Sequence, residues 1–256
     1  MKRIIYFFSL FLFLAANAQP SNVSTNERLH FRVHYGPINA GTATLTTQAV
    51  RYQGQPHLYV RGVGKTTGAV KGLFKVEDYY ESYINQNTGL PSYYVRNVRE
   101  GGYTQHLTAA FNHQSNTLIL KDKKNPANPD RAIKFPAGMQ DMLSAFYYLR
   151  GLPASQLTVG SVHNVNVWID DEMFPFQLKV AAVENLKTRF GSISALKILP
   201  VVKSGQVFKS KESVIMWVSN DANHIPLAIK ADLVVGSIRA DIESFSNVKY
   251  PLYFTK

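Results

Sequence analysis

The chain has 256 residues, 28 of them Lys or Arg against 17 Asp or Glu, a net charge of +11, and no cysteine. Disulfide cross-links and thiol chemistry are therefore excluded, and stability must come from an apolar core, which 45% hydrophobic residues in a chain of this length can supply. The many Tyr and Phe lean toward strands.

Lys2 and Arg3 precede an apolar run from Ile4 to Ala15, and the small-x-small triplet Ala16-Asn17-Ala18 follows. This is the pattern of a secretory signal peptide cleaved after Ala18, because the apolar run is shorter than the roughly 20 residues a membrane-spanning helix needs. No cysteine follows the triplet, so lipid attachment there is excluded. Loss of Lys2 and Arg3 lowers the net charge by two and leaves the mature chain basic. The expected location is the periplasm, the outer membrane or the medium. Nucleic acid is then not an expected partner, whereas the scattered cations suit a solvated surface or contact with a membrane surface.

Residues 19–26 read as a flexible mature N-terminus, and from residue 27 the dominant signal is period-two alternation. Leu29, Phe31, Val33 and Tyr35 face one way, with His30, Arg32 and His34 opposite, as a half-buried strand requires. Strands are predicted near 28–35, 39–50, 56–64, 74–84, 91–99, 103–112, 116–121, 163–170, 174–183, 193–203, 212–219 and 226–245, the last folded into a hairpin at Gly236. Short turn-forming connections favour antiparallel neighbours. The one loop that reads as loose runs from Lys121 to Arg131, through Asn125-Pro126 and Asn128-Pro129.

One segment breaks the rhythm. Met139, Met142, Leu143, Phe146 and Leu149 recur at helical spacing, with Asp141 in the first turn, Arg150 in the last, and Gly151 and Pro153 as stop signals. The expected fold is all-β in the main: one large curved antiparallel sheet, a half-barrel or a sandwich, with an amphipathic helix at 139–150 packed on it. An offset of 135 maps Asn85, Pro91, Gly101 and Asn112 onto Asn220, Pro226, Gly236 and Asn247. This is consistent with two similar halves, 27–136 and 152–250, joined by the helix in a single domain 27–256, although any two hairpins share such turn residues.

Catalytic and metal motifs are sparse. Gly191-Ser192-Ile193-Ser194-Ala195 lacks the second glycine of a hydrolase nucleophile elbow. The acidic groups Glu77, Asp78, Glu81 and Asp170, Asp171, Glu172 fit a strand and a hairpin tip better than paired catalytic carboxylates. His30 and His34 lie about 13 Å apart on a strand, too far to share an ion unaided. Gly62-Val63-Gly64-Lys65-Thr66-Thr67-Gly68 has the wrong spacing for a phosphate loop and reads as a strand connection with no helix after it. No catalytic residue, metal ligand or cofactor is assigned.

Four blocks carry a resemblance. They are Tyr35 to Gly41 (YGPINAG); Val76 to Ile84 (VEDYYESYI) leading to Gly89-Leu90-Pro91; Asp141 to Arg150 (DMLSAFYYLR); and Trp217 to Asp221 (WVSND) leading to Ile225-Pro226-Leu227. Together they resemble the exported bacterial family known as domain of unknown function 3108, over about Arg28 to Val248. That resemblance implies an exported, mostly antiparallel-β protein of Gram-negative bacteria and no activity. At fold level the chain also resembles the periplasmic lipoprotein carriers, whose curved sheet wraps a helix around an apolar cavity.

The leading expectation is a non-enzymatic binding or carrier protein of the cell envelope for an apolar or lipid-like ligand. Its expected lining is Met142, Leu143, Phe146, Leu149, Trp168 and Trp217, with Phe74, Phe174 and Phe176 adding to the aromatic surplus. The alternatives are an envelope structural or interaction protein with a filled core, and a hydrolase acting on glycan or lipid. The oligomeric state is left open.

Overall fold

A computed structural model describes residues 22–169, 171–201, 214–233 and 236–256. The predicted leader, residues 1–18, lies outside these residues. So do Asp170 and positions 212–213 of one predicted strand.

Among the described residues, fifteen strands form one sheet. In the first half they are β1 (Arg28–Tyr35), β2 (Ile38–Tyr52), β3 (Gln55–Thr66), β4 (Glu77–Asn85), β5 (Pro91–Glu100), β6 (Tyr103–Asn112), β7 (Thr117–Asp122) and β8 (Arg131–Lys134). In the second they are β9 (Gln140–Asp141), β10 (Val162–Ile169), β11 (Glu172–Thr188), β12 (Gly191–Val201), β13 (Val214–Ser219), β14 (Pro226–Asp232) and β15 (Ser237–Ser246). The spatial order runs from β8 down to β1, then from β15 down to β9. Two antiparallel meanders are thus sewn together by the pairing of β1 with β15, and only β9 with β10 is parallel.

The sheet is curved, as expected for an all-β fold wrapped on a helix. Its two ends meet through an ion pair between Arg131 at the start of β8 and Asp171 in the β10–β11 turn. Asp171 has φ +68°, as a tight hairpin tip between β10 and β11 demands. The inward positions carry the core: Leu29 and Phe31 of β1, Leu58 and Val60 of β3, Ile84 of β4, Val180 of β11 and Ile198 of β12 are all buried.

The 10-residue helix α2 (Met142–Gly151) lies inside this curve. One flank, Leu143 and Tyr147, packs on Leu58, Val60 and Ile84 of the first half. The other, Ala145, Phe146 and Leu149, packs on Val165, Val167, Leu178 and Met216 of the second.

Several expectations are corrected. The helix starts at Met142, not Met139, because Asp141 has extended φ and ψ and caps it. Met139 is buried among Tyr94, Phe111 and Leu118 instead. β8 and β9 were not foreseen, being four and two residues long. The glycine-rich stretch is continuous strand to Thr66, and a short helix α1 (Gly68–Leu73) does follow it. The loop expected to be loose is tied by Asp122, whose carboxylate accepts from the Lys124 and Asn125 amides and from the side chains of Asn125 and Asn128.

Candidate functional site

Two buried polar anchors position α2. At its N-terminus Asp141 accepts from the amides of Leu143 and Ser144, both at 2.8 Å, and Ser144 Oγ accepts from the Asp141 amide at 2.8 Å. This reciprocal cap satisfies donors that a helix start leaves orphaned. Ser82 of β4 adds a 2.6 Å hydrogen bond to the same carboxylate and ties the cap to the sheet. Asp141 is fully buried, and desolvation pushes its pKa up to about 6 against the pull of these hydrogen bonds.

At the other end Arg150, fully buried, donates to Glu27 at 2.6 and 2.9 Å in a two-pronged ion pair. Its guanidinium also contacts the Asn223 carbonyl at 3.3 Å and lies 5.2 Å over the Tyr147 ring. The side chains of Asn22 and His224 take the Arg150 carbonyl, so the end of the helix is capped by residues from the N-terminal segment and the β13–β14 loop. Burial opposes the Arg150 charge, yet the Glu27 carboxylate beside it raises the guanidinium pKa. Burial likewise pushes the Tyr147 hydroxyl above its ordinary range and lowers the pKa of His224.

Between α2, held at both ends, and the second-half strands it packs on lies an apolar cleft of about 180 Å³. The helix contributes Met142, Ala145, Phe146 and Leu149. β10 supplies Val165, Val167 and Ile169, and β11 supplies Phe176 and Leu178. Pro200 and Met216 complete it, so every lining side chain among the described residues is apolar. An apolar cavity of about 150 Å³ stays dry and takes a benzene-sized guest. The cleft therefore has room for one short apolar segment.

Of the six residues predicted as lining, Met142, Phe146 and Leu149 face the cleft. Leu143 is turned to the first half, Trp168 is buried with Phe111, Leu118 and Phe135, and Trp217 packs on Leu227 and Ile225. The two tryptophans belong to the aromatic surplus expected to line the site, but alternation turns their neighbours Val167, Ile169 and Met216 into the cleft instead. The signal that would have found them is the spacing Val165, Val167, Ile169 on a strand that was itself predicted. Of the other aromatics, Phe176 lines the cleft, Phe174 packs against its ring at 6.2 Å, and Phe74 is half exposed and packs near Gly101.

Polar chemistry does not converge at this site. No group of three or more His, Cys, Asp or Glu that could hold a metal ion occurs among the described residues. His30 pairs with Thr44 at 2.8 Å and His34 with Asp241 at 2.8 Å, each a local contact. Asp78 has its pKa raised to about 6, by burial first and by neighbouring Glu100, but its Oδ1 is engaged by the Arg99 amide. No helix of the described residues is long and apolar enough to cross a membrane.

Comparison with known proteins gives a family and a fold. No curated protein matches the sequence. Among solved structures, the beta-barrel-like protein of domain of unknown function DUF1849 from Brucella abortus aligns over 90% of this chain and 99% of its own, at 9% identity and a TM-score of 0.58. A putative lipoprotein from Parabacteroides distasonis covers the same shares at 8% identity and a TM-score of 0.38. The first likeness concerns the fold, which many activities can share. The model of the protein of unknown function DUF3108 matches residues 30–243, most of the sheet, and the chain therefore belongs to that family.

Proposed function

We propose that the protein is an exported, non-enzymatic binding or carrier protein of the cell envelope that holds an apolar or lipid-like ligand in the cleft beside α2. The observation that carries this reading is the cleft's lining of eleven apolar side chains, with no hydrogen-bonding or titratable side chain among the described residues that line it. Two methionines, Met142 and Met216, give it walls that adapt to more than one guest shape. The leader pattern of residues 1–18 supports export, and the cysteine-free composition is compatible with either redox state.

The test is to purify the protein from its native envelope and analyse an organic extract by mass spectrometry, beside the Ala145→Phe variant. The substitution places a ring in the cleft from the helix side. The expected outcome is an apolar compound near one per chain in the wild type and at least a tenfold loss in the variant, with α2 still folded.

A second reading, an envelope interaction protein, is favoured by a tyrosine cluster on the outer face. Tyr52, Tyr59, Tyr83 and Tyr93 lie partly exposed with ring centroids 5.0–5.9 Å apart, a surface suited to a protein partner. An extract without bound lipid, together with reproducible co-purifying proteins, would replace the carrier reading with this one.

A further inference from the structure

A second pocket, of about 270 Å³, adjoins the apolar cleft, and Val165 lines both. Along the helix, Leu149 faces the cleft while its neighbour Tyr148 faces this pocket. Its character is different: Thr88, Gln140, Tyr148, Asn164 and Asn166 present hydroxyls and amides, and no Lys, Arg, His, Asp or Glu among the described residues lines it. β10 pairs with β11 along its length but with β9 only at Val167 and Trp168. On that edge the main chain of 164–166 has no strand partner among the described residues, which adds backbone donors and acceptors.

Gln140 shows what the pocket lacks. Its side chain is 98% buried, with 2% of its surface accessible, and its Nε2 donates to the Gly89 carbonyl at 3.3 Å. Oε1 is buried with no hydrogen-bond partner. Exchanging the amide ends would set Oε1 against the Gly89 carbonyl oxygen, so the acceptor must be the free atom. A buried acceptor left unpaired is costly, and water or a ligand donor has to supply the bond.

We infer that this pocket receives the uncharged, hydroxyl- or amide-bearing head of an amphiphile whose apolar tail fills the neighbouring cleft, with Gln140 Oε1 accepting a hydrogen bond from that head. The inference rests on the carrier reading and narrows its ligand class. A carboxylate or phosphate head would meet no cation among the described lining residues and could not donate to Gln140, whereas a sugar or glycerol hydroxyl does so by displacing water.

Two short-tailed probes separate the two claims: hexyl β-D-glucoside, with a neutral hydroxylated head, and hexanoate, with an anionic one, titrated calorimetrically into the protein. The expected result is roughly tenfold or greater preference for the glucoside. In Gln140→Met that preference falls to within about twofold, through a loss of glucoside affinity. Equal binding of both probes by the wild type, or a preference for hexanoate, overturns the head assignment and leaves the apolar cleft standing. Failure of both probes to bind overturns the carrier reading and the head assignment with it. If Gln140→Met does not fold, Asn166→Val at a half-buried strand position serves, and a glucoside preference that it leaves intact overturns the inference.

Discussion

Gly41 shows how tightly two strands are pressed together, because a Cβ built there would sit 2.3 Å from the Lys65 carbonyl oxygen on β3. Gly41→Ala must therefore push β2 and β3 apart, at a cost of about 1–3 kcal/mol, read as a lower Tm in thermal unfolding. Asp141 makes a prediction in pH. Its folded pKa near 6 lies above the unfolded carboxyl value, so its contribution is fully present below about pH 4 and is lost as pH rises through 6. Asp141→Asn keeps a capping oxygen, and the wild type should lose up to about 3 kcal/mol relative to it between pH 4 and 6. His224 acts with the opposite sign: burial lowers its pKa, so its contribution is present above about 6.5 and is lost as pH falls. Paired unfolding curves of wild type and Asp141→Asn across pH 4–7 isolate the aspartate. The sequence placed Asp141 at the helix start. It gave no sign of burial, which comes from Ser82, 59 residues away.

The helix α2 was legible as an element because apolar residues recur at i, i+3 and i+4, and its cap and stop signals survive in the structure. Its anchoring was not legible. Arg150 reads as a surface cation favourable to the helix dipole, yet it is fully buried against Glu27, 123 residues earlier, a pairing no local pattern encodes. That pair joins the N-terminal segment to the helix end. Glu27→Gln or Arg150→Met alone should cost about 3–5 kcal/mol, since each leaves a buried group unpaired. The double variant should recover much of the loss, and a double-mutant cycle by denaturant unfolding measures the coupling. If the single substitutions cost less than about 1 kcal/mol, the anchor has no role in holding α2.

The antiparallel meander could be read from alternation and short turns, and each long predicted strand has its counterpart in the sheet. What alternation could not supply was the order of the two halves. The pairing of β1 with β15 joins residues near opposite ends of the sequence, and β8 and β9 are too short to show a period. The same limit governed the site. Helix periodicity found Met142, Phe146 and Leu149, whereas the strand residues opposite them depend on which face of β10 and β13 turns inward. Aromatic character, which pointed to Trp168 and Trp217, carries no information about that parity.

Methionine methyl groups are placed to test occupation of the cleft directly. Met142 and Met216 line it, while Met139 is buried in another cluster and Met173 is exposed on β11. In a methionine-methyl NMR titration with a small apolar guest, the Met142 and Met216 signals should shift together and saturate while Met139 and Met173 stay in place. Signals that do not move, or movement of Met139 and Met173 without the cleft pair, would contradict an apolar binding site beside α2.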